Sequence, residues 1–209
     1  MSNYKELLRQ ISEEDYHNNL INLHIHSTCS DGMATFEQLD EQAKNIKHYK
    51  YFSITDHNTV QGYIDNPETN AIPGVEFDVW YKYIFLHLLA YGIDVKHSAM
   101  QKFYSKDKRG TEVDIVRIFA KRNLKELIDA IHQAGGIAVL AHPCCCWALN
   151  LDDFINDLSK LGLDGVEVYY PYPRWRKFLK FSNPNQVEKI ANKYNLIKTG
   201  GTDSHGLNL

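Results

Sequence analysis

The feature that most constrains this chain is an alternation: short runs rich in β-branched and aromatic residues are separated by amphipathic, helix-like stretches, which argues for an α/β fold. The β-rich runs fall at residues 21–26, 51–56, 72–79, 84–91, 136–141, 165–169 and 196–200, seven candidate strands. Helices are expected over 35–46, 113–133, 151–161 and 185–194. Gly135 and Gly136 supply a stop for the second helix, and Pro184 suits the start of the last. With 209 residues and 44% hydrophobic content the chain can bury one sizeable core, so 1–209 is read as a single domain.

Charge and composition exclude some classes of function. A net charge of −3 gives no electrostatic basis for a dedicated nucleic-acid or membrane binder, so an anionic substrate must be captured by local cations. No signal-peptide core opens the sequence and no apolar run approaches membrane-spanning length, so a cytoplasmic protein with no membrane partner is expected. Of the four cysteines, Cys144, Cys145 and Cys146 are consecutive, a spacing that suits neither a disulfide framework nor a CxxC metal knuckle. They read as free thiols in a reducing compartment, or as thiols at the edge of a site, since the run directly follows His142 and Pro143.

The informative pattern is where the polar residues sit. His24, His26, Asp56, His57, Glu76, His142 and Asp203 fall at or just past the end of a candidate strand. In a (β/α) barrel those ends share one face, where residues distant in sequence converge. His24 and His26, two apart on a strand, point to one side and could reach one cation, although two surface histidines on a strand face would look the same. Asp31 follows in a Ser-Asp-Gly turn as a hard oxygen donor. Asp56 could orient a neighbouring imidazole while His57 ligates, against the plain alternative of a strand-ending turn. Glu76 lies inside an apolar strand, where an unpaired charge is costly, so a metal or cationic partner is expected. His87, in another apolar run, reads alone as a hydrogen-bonded core residue, and gains weight only from the set. Asp203 and His205 complete the series in a Gly-flanked Asp-x-His. His17, His48, His97 and His132 stand in helical or loop contexts and read as solvent or packing residues.

The ordered motifs HxHSxxSDG, TDHN, GVEF, HLLAYGID, AHP and GGTDSHG, running from Asn22 to Gly206, resemble the polymerase and histidinol phosphatase (PHP) superfamily, in its small metal-dependent phosphoesterase branch. The resemblance implies a distorted seven-stranded (β/α)7 TIM-like barrel. It implies that His24, His26, Glu76 and Asp203 hold one metal, that Glu76 bridges to a second held by His87 and His142, and that Asp31, His57 and His205 hold a third. Asn22 departs from the pattern, since many relatives carry an acid there.

The function so implied is a phosphoesterase hydrolysing a phosphate ester of a small metabolite or nucleotide by attack of a metal-activated water, with two or three divalent ions of Mn, Zn or Fe. Asp56, His142 and His205 are the candidate catalytic residues; Arg117, Lys121, Arg122, Arg174 and Arg176 are candidate phosphate contacts, with a solvated face as the alternative. Glu167 reads equally as an outer carboxylate or as strand packing. Three other functions compete: a 5'-3' exonuclease on short oligonucleotides, with Tyr169, Tyr170 and Tyr172 as stacking platforms, a histidinol-phosphatase-like enzyme, and a non-catalytic metal-stabilised binding module.

Overall fold

Capping residues set where several of the helices begin. The computed structural model describes residues 4–171 and 183–209. Two short helices, α1 (Tyr4–Gln10) and α2 (Glu13–His17), precede the first expected element. Thr35 opens α3 (Phe36–Glu41) with a capping box closed by Gln38, and the helix runs on into a π-helical turn, Gln42–Ile46. After α4 (Gln61–Asp65), the stretch expected as one helix over 113–133 is broken. It forms α6 (Asp114–Arg117), directly after α5 (Arg109–Glu112), and then α7 (Leu124–Gln133). The break has a local cause: Asn123 caps a fresh helix by accepting from the Glu126 amide, and Arg122 just before it is bonded to the main-chain carbonyls of Phe103 and Asp78. Asn150 caps α8 (Leu151–Lys160), and Asn183 with Gln186 forms the capping box of α9 (Pro184–Lys193).

Each β-rich run carries a strand, but the strands do not form the expected seven-stranded (β/α)7 TIM-like barrel. β1 (Ile21–Asn22) and β2 (Tyr51–Phe52) make a two-stranded parallel sheet, while β3 (Gly74–Tyr81), β4 (Ile84–Tyr91), β5 (Ile137–Leu140), β6 (Gly165–Tyr169) and β7 (Ile197–Gly200) make a five-stranded mixed sheet in that order. One reason is the Lys82-Tyr83 turn, with Lys82 at φ 56°: a connection this short makes β3 and β4 a hairpin, and β5 is antiparallel to β4 as well. Another is that β1 and β2 stop after two residues. Beyond them the chain is held by separate bonds, such as Thr55 N to Ile25 O at 2.7 Å, Glu76 N to Asp56 O at 3.2 Å and Asp203 N to His24 O at 2.8 Å. Among the described residues no continuous ladder closes the sheets upon one another.

The large sheet has two buried faces. Val75, Phe77, Val79, Leu86, Leu88, Ala90, Ala138 and Leu140 pack on one, with Leu127, Ile128 and Ile131 of α7 in the same core. Leu89, Tyr91, Ile137 and Val139 pack on the other, with Leu8, Tyr16 and Leu23. Because strand side chains alternate, Glu76 and Asp78 of β3 and His87 of β4 all lie on the second face, toward β1 and β2.

Candidate metal centre

Each motif that the sequence singles out delivers its polar side chain to the space where β1, β2 and the large sheet meet. His24 and His26 come from the extended chain after β1, His57 from the end of the segment after β2, and Glu76 and His87 from the β3–β4 hairpin. His142 follows β5; Asp203 and His205 follow β7. Three residues here hold left-handed backbone: Asn58 (φ 57°), His142 (φ 28°) and Asp203 (φ 51°). For His142 such a conformation costs about 1–3 kcal/mol, the kind of strain that accumulates at functional sites.

Glu76 is the centre of the cluster and has no exposed surface. Its Oε2 has no hydrogen-bond partner, yet the Nε2 atoms of His24, His26 and His57 lie 3.2, 3.2 and 3.4 Å away. Its Oε1 faces His87 Nδ1 at 3.0 Å and His142 Nε2 at 3.2 Å. The His24 and His26 Nε2 atoms are themselves 3.1 Å apart, and Asp203 Oδ1 is 3.4 and 3.1 Å from them. Asp31 Oδ1 lies 3.3 Å from His205 Nε2 and 3.7 Å from His26 Nδ1, and its Oδ2 is 3.8 Å from His57 Nε2. An unbonded buried carboxylate oxygen ringed by imidazole nitrogens is costly unless a cation joins them. Ligand atoms each about 2.0–2.2 Å from one divalent ion stand roughly 3–3.5 Å apart, so these donors fit a metal. They fall into the groups His24–His26–Glu76–Asp203, Glu76–His87–His142 and Asp31–His57–His205, the last also within reach of His26.

The electrostatics match that reading. Burial opposes charge on His26, but the nearby carboxylates of Asp203 and Glu76 outweigh it and lift its pKa to about 9. His87 is lifted to about 9 against the same penalty by Glu76 and Asp78. Against burial, His24 is held well above the ordinary range by Glu76, Asp203 and Glu167, and His142 by Cys145 and Glu76, while Glu76 is held well below its own by His24, His87 and His57. His57 goes the other way: burial, with His26 and His87 adding repulsion, depresses it to about 3. Without metal, protons carry the positive charge that balances the carboxylates.

A layer of polar groups braces these side chains. Glu167, whose role the sequence leaves open, accepts from His24 Nδ1 at 3.0 Å and from the His142 amide at 2.8 Å. Asn22 holds the last motif: its side chain donates to Thr202 Oγ1 at 3.0 Å and accepts from the Thr202 amide at 3.0 Å. Tyr170 donates to Asp203 Oδ2 at 2.8 Å. His205 Nδ1 donates to the Asp203 carbonyl at 2.9 Å, leaving Nε2 to face Asp31. Asp56, expected to orient an imidazole, instead accepts from the Ser27 amide and hydroxyl, both at 2.7 Å, and from the Ser30 hydroxyl at 2.6 Å. It fastens the turn that carries Asp31. The residue that the sequence reading missed is Asp78, buried between His57 and His87. Its signal was available, since two residues beyond Glu76 it must share that strand face.

A cavity of about 340 Å³ opens beside the cluster, lined among others by Phe85, His87, Arg117, Ile118, His142, Cys145, Tyr170 and Asp203. Cys145 is therefore a thiol at the site's edge, and no disulfide links the four cysteines. Arg117 reaches this cavity, though it is bonded to Asp31 Oδ2 at 2.8 Å and Asp114 Oδ1 at 2.5 Å. Lys121 and Arg122 line a different cavity, with Trp80 and Asn123. Arg174, Arg176 and Tyr172 lie outside the described residues. No helix among the described residues is long and apolar enough to cross a membrane.

No protein-family model matches the chain. Among curated proteins, it is 24% identical to the phosphoribosyl 1,2-cyclic phosphate 1,2-diphosphodiesterase of Eggerthella lenta, over 88% of this chain and 93% of that protein. It is also 24% identical to the 5'-3' exoribonuclease Rnm of Salmonella typhimurium, over 59% of this chain and 65% of the relative. Among solved structures, a protein of Bifidobacterium adolescentis assigned as a metal-dependent phosphoesterase superimposes with a TM-score of 0.71 at 20% identity, over 90% of this chain and 88% of that one. A two-domain protein of Bacteroides vulgatus, containing a predicted PHP-like metal-dependent phosphoesterase, gives 0.59 at 15% identity, over 90% of this chain and 52% of that one. The chain has the fold of these phosphoesterases.

Proposed function

We propose that this chain is a metal-dependent phosphoesterase of PHP type, a single hydrolase domain over 1–209 that cleaves a phosphate ester of a small metabolite or nucleotide. The observation that carries the reading is the buried Glu76 carboxylate, with an unbonded oxygen facing three imidazole nitrogens and the other facing two. His24, His26, Glu76 and Asp203 would hold one divalent ion, Glu76, His87 and His142 a second, and Asp31, His57 and His205 a third. When bound, such ions lower the pKa of a water toward neutrality and neutralise charge on phosphoryl oxygens. Their mixed nitrogen and oxygen donors suit Mn, Zn or Fe.

The chain's own groups do the rest. Glu167 and the Asp203 carbonyl fix the ring orientations of His24 and His205, so that their Nε2 atoms face the carboxylates. His142 and His205 act as ligands through Nε2 in this reading. Arg117 is the described cation that reaches the cavity, and it would meet an anionic substrate there. The cavity's volume of about 340 Å³ suits a sugar phosphate or mononucleotide. The likeness over 93% of a cyclic phosphate diphosphodiesterase supports the same size class.

The second reading is cleavage of short oligonucleotides from the 5' end, favoured by the likeness to an exoribonuclease. The test is one panel, run on manganese-loaded protein: an aryl phosphate, a nucleoside monophosphate, a ribose cyclic phosphate and a 5'-phosphorylated oligonucleotide of a few residues. Turnover of the small esters with the oligonucleotide untouched supports the first reading. Selective shortening of the oligonucleotide supports the second.

A further inference from the structure

Asp78 is fully buried and lies directly across the hairpin from His87, its register partner on β4. Its two oxygens are used differently. Oδ2 is anchored: it accepts from the Asn58 side-chain amide, whose oxygen in turn accepts from the Asp78 amide at 3.1 Å, and Arg117 Nε stands 3.8 Å off. The left-handed backbone of Asn58 aims that amide. Oδ1 has no donor aligned on it, and lies 3.1 Å from His87 Nε2 and 3.5 Å from His57 Nδ1. The opposite nitrogens of the same two rings, His87 Nδ1 and His57 Nε2, face the two oxygens of Glu76 at 3.0 and 3.4 Å. One carboxylate thus stands behind two imidazoles that both look into the metal centre from different sides.

We infer that Asp78 is the shared positioning carboxylate of the second and third metal subsites, fixing His57 as the Nδ1–H form and His87 as the Nε2–H form so that each presents its other nitrogen to a cation. The inference rests on the metal occupancy proposed above. Ligating histidines commonly donate their second N–H to a carboxylate, which sets the ring's tautomer and raises its basicity. A further cation among His57, Asp78 and His87 is the competing arrangement, because those three also lie within ligand reach of one another. It would need both rings stripped of both protons in order to ligate on both sides. A shared proton donor–acceptor arrangement needs nothing of the kind.

Zinc-loaded protein with nitrogen-15-labelled histidine decides the matter through long-range proton–nitrogen correlations. The expected spectrum has His57 protonated on Nδ1 and His87 on Nε2. In parallel, Asp78→Asn should lose about 10- to 100-fold in zinc affinity against a chromophoric chelator, with the wild-type far-ultraviolet circular dichroism retained. Should the variant fail to fold, the wild-type spectrum still decides. A proton on the opposite nitrogen of either ring, zinc on both nitrogens of His57, or unchanged zinc affinity in a folded Asp78→Asn protein overturns the inference. Those results leave the phosphoesterase reading intact. Wild-type protein that takes up no zinc overturns both.

Discussion

Replacing Glu76 by Gln removes one charge and almost no volume, and so isolates what that carboxylate does. In the wild type each Glu76 oxygen faces imidazole nitrogens at 3.0–3.4 Å, and the residue is common to two ligand groups. Divalent metal present at about 100 times its dissociation constant stabilises the fold by roughly 2.7 kcal/mol per site. For a chain of 209 residues, each kcal/mol moves the melting midpoint by about 2–4 °C, so manganese should raise the wild-type midpoint by about 5–11 °C for each site it fills, relative to a chelated sample. Glu76→Gln should keep no more than the rise from the one group that lacks Glu76, Asp31–His57–His205, because an amide oxygen is a weak donor and the other two groups lose a member together. Phosphatase activity should fall below detection in the same variant. The assay is a thermal melt with manganese or chelator, paired with phosphate release. A Glu76→Gln protein with the wild-type manganese shift and activity would refute the reasoning that Glu76 organises the centre.

Other outcomes follow from the neighbouring residues. His26 and His87 have pKa values near 9 in the folded, metal-free chain, above the ordinary value of 6.5. Their charges therefore stabilise that form fully below about pH 6.5, and the contribution is lost as pH rises through 9. Metal must displace these protons and those of His24 and His142, which are also held well above the ordinary range, so titration calorimetry in buffers of different ionisation enthalpy near pH 7 should show release of more than two protons, and affinity should rise with pH. Absence of net proton release would contradict this. Glu167→Gln should weaken metal binding by about 10- to 100-fold with the fold retained, since Glu167 orients His24, and competition with a chelator measures it. Gly201→Ala should cost about 1–3 kcal/mol in chemical denaturation and reduce activity, because a Cβ there would stand 2.4 Å from the His24 backbone nitrogen and Cβ.

The parts of the site legible in the sequence were those carried by local pattern. His24 and His26 had to share a face, and a lone Glu76 in an apolar strand demanded a cationic partner. The structure brings all nine residues named as ligands into the adjoining groups. Long-range contact was not legible. Whether Glu167 packed or braced a ligand depended on meeting His24, 143 residues away. Arg122 looked like a phosphate contact, and only the fold shows its guanidinium bonded to main-chain carbonyls of Phe103 and Asp78. Asp56 reads from the sequence as orienting an imidazole, and only the fold shows that its carboxylate is taken up by Ser27 and Ser30. For the architecture, the seven runs were readable and their closure was not. The four residues between the runs at 72–79 and 84–91 are too few for a crossover helix, so the hairpin that departs from a (β/α) barrel was implicit in the spacing.

The central claim is that one histidine and carboxylate cluster binds divalent metal in order to hydrolyse phosphate esters. Its most direct test is phosphate release from a small phosphomonoester by protein stripped with chelator and then titrated with manganese, with bound metal counted by elemental analysis at each step. No turnover is expected in the stripped protein, and activity should return as the second or third ion binds. Protein that holds two or three ions per chain and still releases no phosphate would contradict it.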